Sequence, residues 1–332
     1  MTRVAVVGAG AWGTALANHC AAHGHTATLW AREADVAEGI NARHMNERFL
    51  AGIALSDALR ADNSIVRAVE GAEIVVLAPP SHALRAVARS MRETLMPRAI
   101  LVVATKGIEP DSLQLMSQVA SAELPAHPVV ALSGPSFAVE VARHQPTAIV
   151  AASADQAAAH AVQQLLSERL FRIYTQHDVT GVELGGALKN VMAVATGIAE
   201  GLGLGFNSRA ALITRGLAEM TRLGVALGAE PATFAGLAGM GDLVLTCTGS
   251  LSRNRAVGME IGGGQTLAEA LAGKETVAEG VLTTRSAHAL ARRERVEMPI
   301  VATAYRVLFE GYPPRDAIRD LMTRELRTES DA

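Results

Sequence analysis

The stretch Val4-Ala5-Val6-Val7-Gly8-Ala9-Gly10-Ala11-Trp12-Gly13-Thr14-Ala15-Leu16-Ala17 decides the fold. The valine-rich run reads as a buried strand, and Thr14 to His19 reads as a helix. A G-x-G-x-x-G pattern therefore stands where a strand turns into a helix, the context in which that pattern carries weight. Gly8 permits the tight turn, Gly10 lets the backbone approach a pyrophosphate, and Gly13 lets helix and strand pack closely. The helix N-terminus adds unpaired N–H groups and the positive end of its dipole. The alternative is a glycine-rich turn without a ligand. Behind Met1-Thr2-Arg3 the same stretch imitates a secretory signal, but its three spaced glycines argue for the dinucleotide loop.

Outward from the loop, strands and helices alternate. Gly24 ends the first helix, and Thr26–Trp30 reads as the next strand. Glu73–Ala78 and Ile100–Ala104 are near-continuous apolar runs, as in strands buried on both faces. Between them Ser81–Leu95 has helical spacing, with Ser81 as its N-cap. Pro128–Leu132, Ala148–Ala152 and Leu170–Tyr174 read as further strands, and Asp155–Glu168 as a helix. The alternation predicts a doubly wound parallel sheet to about residue 175. From Val179 onward the patterns are helical only: Val182–Gly201, Ser208–Leu227, Thr233–Ala238, Gly241–Thr246, Ser252–Ile261, Thr266–Ala272, Val281–Arg293, Pro299–Phe309 and Pro314–Thr323. The expected fold class is α/β, with a Rossmann-type dinucleotide-binding domain over 1–177 and an all-helical, substrate-binding domain over 178–332.

Composition narrows the function. With 332 residues, 49% hydrophobic and 19% charged, the chain can bury a large core, which excludes intrinsic disorder. A net charge of −3 supplies no basic field for nucleic acid. Cys20 and Cys247 make no disulfide framework, and the ten histidines show no H-E-x-x-H. No run of about 18 apolar residues predicts membrane insertion. A cytoplasmic protein without a metal is expected.

Thirty residues are Lys or Arg, yet only Lys106, Lys189 and Lys274 are lysines. A lysine kept against that bias is a candidate for chemistry, because it can lose its proton near neutral pH and Arg cannot. Lys106 follows the strand Ile100–Ala104 at its carboxyl end, where ligands bind in open α/β sheets. Lys189 lies in Glu183-Leu184-Gly185-Gly186-Ala187-Leu188-Lys189-Asn190, and on a helix it shares a face with Gly186, Asn190 and Ala193. Interior glycines weaken a helix, so something must approach closely there. The competing reading pairs Lys189 with Glu183 or Glu200 at the surface. Lys274, in a Gly-Lys-Glu loop, reads as a solvated cation. Asp242 and Thr246 stand four apart at an apolar helix start. Ser252-Arg253-Asn254 then combines a helix cap, a guanidinium and an amide, which suits a phosphate. Two further segments are Ser133-Gly134-Pro135-Ser136-Phe137-Ala138 after a strand, and Thr276–Gly280. Arg32, at the end of the second strand, stands where a ribose 2′-phosphate would be recognised. That favours NADP(H), with NAD(H) open because Glu33 is adjacent.

Together these segments resemble the soluble bacterial NAD(P)-dependent glycerol-3-phosphate dehydrogenases. The matching stretches are GAGAWGTALA, ATKG, SGPSFA, ELGGALKN, GLAGMGDLVLTCTGSLSRNR and VAEGV. The resemblance implies a hydride-transfer enzyme that interconverts dihydroxyacetone phosphate and sn-glycerol 3-phosphate for phospholipid synthesis. It places Lys189 on the proton acceptor, with Lys106 and Asp242 as its catalytic partners. Substrate contacts fall on Lys106, Gly134, Ser136, Lys189, Asp242, Ser252, Arg253 and Asn254. Cofactor contacts fall on Gly8, Gly10, Ala11, Trp12, Gly13, Arg32, Phe49, Lys106, Ala138, Arg253, Val277 and Glu279. Ala11 replaces a small polar residue and Phe49 a common Tyr. A homodimer is compatible with this reading. Two alternatives stand: a lysine-dependent dehydrogenase of the 6-phosphogluconate or 3-hydroxyisobutyrate type, and a non-catalytic NADP(H) sensor. The first would place Lys and Asn one helical turn apart, whereas Lys189 and Asn190 are adjacent.

Overall fold

Alternation of side chains about a strand explains the central layer. In a computed structural model, which describes residues 1–274, 278–326 and 328–329, eight strands form one sheet. They are β1 (Arg3–Val7), β2 (Thr26–Trp30), β3 (Arg60–Asp62), β4 (Ile74–Leu77), β5 (Ile100–Val103), β6 (Val129–Ser133), β7 (Thr147–Ala152) and β8 (Phe171–Gln176). Along β1, Val4 and Val6 enter one hydrophobic cluster with Leu16, Leu29, Val76 and Val102. Ala5 and Val7 enter another with Val75, Leu77, Leu101 and Val103. Both faces are thus covered, and the near-continuous apolar runs follow from that.

The helices of this half are α1 (Ala11–Ala22), α2 (Ala34–Arg43), α3 (Ile65–Val69), α4 (Leu84–Met91), α5 (Met116–Glu123), α6 (Ala138–Ala142) and α7 (Gln156–Leu166). The sheet order is β3-β2-β1-β4-β5-β6-β7-β8. Strand order reverses at β1, whose neighbours are β2 and β4, so the crevice at its carboxyl end is the binding position of this architecture. The sheet is not wholly parallel as expected: β7 runs antiparallel to β6, and β8 follows β7 in parallel. Apolar runs report burial but not direction. The short strand β3 and helices α2, α3, α5 and α6 carry too little periodicity to stand out in the sequence. Ser81 is not a helix cap either; it opens a 3₁₀ turn, Ser81–Ala83, ahead of α4.

Beyond β8 the described residues are helical: α8 (Val179–Gly201), α9 (Phe206–Ala226), α10 (Pro231–Phe234), α11 (Asp242–Thr248), α12 (Arg253–Gly262), α13 (Leu267–Leu271), α14 (Glu279–Glu294), α15 (Pro299–Phe309) and α16 (Pro314–Met322). Helix α8 is buried on nearly every side and forms the axis around which the others pack. A methyl group on Gly197 would strike the Arg255 carbonyl, and one on Gly258 the Val194 carbonyl. Gly201 and Gly262 repeat the arrangement one turn on. Glycines four apart on both helices therefore let α8 and α12 touch backbone to backbone.

Candidate active site

Three places meet the crevice. The first is the glycine loop. Gly8 has φ +119°, and a Cβ there would lie 2.7 Å from the Ala78 carbonyl oxygen. Gly13 abuts the Gly8 carbonyl, while a Cβ at Gly10 would meet nothing. Gly10 caps α1 without a side-chain bond, so the first amides, those of Ala11, Trp12 and Gly13, are free for an anion. The buried Trp12 indole N–H has no partner. An open cradle, an uncapped helix start and an orphaned donor together fit a dinucleotide. Beneath the loop lies a residue absent from the sequence reading. Asn46 is 1% exposed and donates to the Ala9 carbonyl (2.9 Å) and to Thr14 Oγ1 (2.8 Å). Its Oδ1 accepts from the Phe49 amide (3.1 Å), tying the loop to half-buried Phe49. A lone Asn in Met45-Asn46-Glu47-Arg48 gives no periodic signal by which to find it.

Arg32 follows β2 and is solvent-exposed, with its guanidinium 2.6 Å from Glu33. It lies three strands from β5, about 14 Å at ordinary strand spacing, a separation an extended dinucleotide can bridge. Ala138 begins α6, and Glu279 begins α14. Val277 lies outside the described residues.

The second place is the lysine pair. Asp242 is fully buried at the start of α11, directly after a π-helical turn over Leu237–Gly241. Its Oδ2 receives Lys106 Nζ at 2.7 Å, and its Oδ1 receives Lys189 Nζ in a short bond. Thr246 Oγ1 donates to the Asp242 carbonyl at 2.6 Å. Lys106 Nζ also donates to the Gly134 carbonyl at 3.1 Å, the same oxygen that takes Ser136 Oγ at 3.0 Å. A Cβ at Gly186 would lie 2.5 Å from Ser133 Oγ, so this glycine of α8 admits the carboxyl end of β6, with the Lys106 stem in ordinary contact beside it. Burial pulls the Lys189 pKa down to about 8; Asp242 opposes this and Lys106 reinforces it. Two ammonium groups on one carboxylate leave a net positive charge of one in a site shielded from water. Glu183 is committed to Ser117, and Glu200 to Arg255 and Arg209, so neither serves Lys189. Lys274 is exposed but ion-paired, 2.6 Å from Glu260.

The third place is the start of α12. Ser252 is buried and its hydroxyl accepts from the Arg255 amide (3.3 Å). Asn254 donates to Asn190 Oδ1 and accepts from the Gly280 amide, both at 2.9 Å. Helices α8, α12 and α14 are thereby fixed to one another, with Lys189 beside Asn190 and Arg253 beside Asn254. Arg253 is open to solvent by area but sits in a recess. Surrounding protein lowers its pKa from the ordinary value and the charge of Glu279 opposes that. No group of three or more His, Cys, Asp or Glu side chains able to hold a metal occurs among the described residues.

Comparison with known proteins gives the family. The family model for the N-terminus of NAD-dependent glycerol-3-phosphate dehydrogenase matches residues 3–159, and the model for its C-terminus matches residues 178–319. The chain is 57% identical over 332 residues to glycerol-3-phosphate dehydrogenase [NAD(P)+] of Geobacter sulfurreducens, covering 98% of each. It is 54% identical to the Geobacter metallireducens enzyme, again covering 98% of each. The crystal structure of glycerol-3-phosphate dehydrogenase from Coxiella burnetii superposes with a TM-score of 0.94 at 39% identity, over 97% of this chain and 99% of that one. A ketopantoate reductase from Ralstonia eutropha shares the fold alone, with a TM-score of 0.62 at 14% identity over 95% of this chain and 99% of that one. These matches do not favour the 6-phosphogluconate or 3-hydroxyisobutyrate type, nor the non-catalytic sensor. The chain belongs to the NAD(P)-dependent glycerol-3-phosphate dehydrogenase family.

Proposed function

We propose that, in interconverting dihydroxyacetone phosphate and sn-glycerol 3-phosphate, Lys189 is the proton donor and acceptor at the C2 oxygen, with Lys106 and Asp242 setting its charge. The observation that carries the reading is the fully buried Asp242 held between both lysines. Bound NAD(P)(H) supplies or accepts the hydride at C2. In reduction the Lys189 ammonium gives a proton to the carbonyl oxygen and becomes an amine. In oxidation the amine takes the hydroxyl proton. A pKa of about 8 leaves both forms within reach near neutral pH. The excess positive charge of the trio favours a developing alkoxide.

Arg253, the amides at the start of α12 and the remaining Asn254 N–H anchor the substrate phosphate, a remote handle that positions the carbonyl. Gly134, Ser136 and Ser252 line the same place. Gly8, Gly10, Ala11, Trp12, Gly13, Phe49, Ala138, Val277 and Glu279 hold the dinucleotide together with Lys106 and Arg253. Arg32 selects the 2′-phosphate of NADP(H), with NAD(H) still accepted. In this reading 1–177 is the dinucleotide-binding domain and 178–332 the substrate domain. The free thiols Cys20 and Cys247 support a reducing, cytoplasmic setting. A homodimer is compatible with this reading, and light scattering would check it.

Turnover of Lys189→Arg tests the core of the reading. The variant keeps a cation but cannot release its proton. It should bind NADPH, yet lose roughly 10²–10⁴-fold in kcat, the usual worth of acid–base catalysis. Lys274→Arg, which keeps the Glu260 pair, should be silent. Retention of wild-type kcat by Lys189→Arg would move the proton role elsewhere, with Lys106 next in line.

A further inference from the structure

Ser81 has no part in the reaction as described, and the helix it precedes does not use it as a cap. It is 3% exposed, at the carboxyl end of β4 beyond Ala78-Pro79-Pro80. Both of its donors reach across to the helical half. The amide gives to Glu279 Oε1 at 3.1 Å and the hydroxyl to Glu279 Oε2 at 2.6 Å. Gly107 fits against the pair: a Cβ there would lie 2.7 Å from Ser81 Cβ and 3.5 Å from Glu279 Oε2. These contacts gather beyond the carboxyl ends of β4 and β5, beside the glycine loop. Gly8 packs on Ala78 and Pro79, Ser81 follows within two residues, and Gly107 adjoins Lys106. A dinucleotide lying across the carboxyl ends of β1, β4 and β5 from the glycine loop to Lys106 passes this carboxylate.

We propose that Ser81 is a positioning residue that fixes the Glu279 carboxylate in the crevice, and that this fixed negative charge makes the site favour the oxidised, cationic nicotinamide over the reduced, neutral one. The inference rests on the reading that places Glu279 at the dinucleotide. Burial raises the Glu279 pKa above the ordinary carboxylate value, and the two hydrogen bonds from Ser81 to the charged form oppose that rise. The other charged or titratable groups facing Glu279 are His82, beside Ser81, and Arg253 on α12; both favour the carboxylate. Arg253 cannot supply the discrimination, since its charge disfavours a cation.

Equilibrium binding of NADP+ and of NADPH, read by fluorescence between pH 5.5 and 8.5, tests this without turnover. Ser81→Ala should weaken NADP+ roughly tenfold or more relative to NADPH, the scale of a lost hydrogen bond to a charged group. It should also move upward the pH below which NADP+ binding fails, because the carboxylate then protonates sooner. Ser81→Thr keeps the hydroxyl and should restore both. Glu279→Gln should reproduce the lost preference and abolish its pH dependence. Equal weakening of both cofactors by Ser81→Ala, with the pH midpoint unmoved, would overturn the role of Ser81 while Glu279→Gln still acted. If Glu279→Gln changed neither cofactor's binding, the placement of Glu279 at the dinucleotide would fall, and the proposal with it.

Discussion

At the scale of single residues, the scarcity of lysine made the site legible. Lys106 and Lys189 stand out in a chain that otherwise uses Arg, and the structure brings both to one carboxylate. From residue spacing Asp242 was marked only by Thr246, and the resemblance added it as a partner of Lys189; that one carboxylate touches two lysines from different halves is a tertiary fact no local pattern encodes. Asn46 and the partner of Ser81 were illegible for the same reason: each acts through a contact far away in sequence. Arg32 was legible by position and is available for a ligand, because an exposed ion pair with Glu33 holds it weakly. Arg32→Ala should therefore raise the KM for NADPH about tenfold or more while leaving that for NADH nearly unchanged. Steady-state titration of both cofactors checks this, and equal losses would assign Arg32 to adenine stacking.

At the scale of elements, periodicity found the long helices and buried strands, with boundaries shifted by a few residues. It failed where an element is short or where direction matters, as with β3 and the antiparallel β7. The glycines inside α8 were legible as signs of close approach, but not what approaches. Gly185 abuts the Ala238 carbonyl, Gly186 makes room for Ser133 at the end of β6, and Gly197 and Gly201 admit α12. The α8–α12 crossing sets Lys189 and Asn190 against Arg253 and Asn254, so its tightness bears on catalysis. Gly258→Ala places a methyl on the Val194 carbonyl, where no rotamer can relieve it. It should cost about 1–3 kcal/mol of stability. It should also raise the KM for dihydroxyacetone phosphate, through displacement of α12. Thermal unfolding with substrate kinetics checks both, and an unchanged melting temperature would mean the helices separate without cost.

At the scale of the whole molecule, titratable groups buried far from the site shape stability against pH. His19, 5% exposed, bonds through Nε2 to the Leu166 carbonyl at 2.8 Å beside His23, His144 and Glu168. Burial lowers its pKa from 6.5 to about 4. The folded state thus binds fewer protons than the unfolded one. The stability that His19 contributes is full above pH 6.5 and is lost as pH drops toward 4, against the opposite trend of Glu183 and Glu219, whose burial raises their pKa to about 7. His19→Gln should flatten that decline in melting temperature, and a parallel decline in the variant would exclude His19 as its source.

The central claim is that a buried lysine, tuned by a shared aspartate, moves the proton. The pH profile of kcat/KM for glycerol 3-phosphate oxidation, in wild type and Asp242→Asn, tests it most directly. Oxidation needs the amine, so activity should rise through an inflection near 8, the Lys189 value. Removing Asp242 takes away the charge that raises that value, leaving burial and Lys106 to depress it further. The inflection of Asp242→Asn should therefore lie at lower pH, with a reduced plateau. An inflection that stayed in place, or moved upward, would contradict the account.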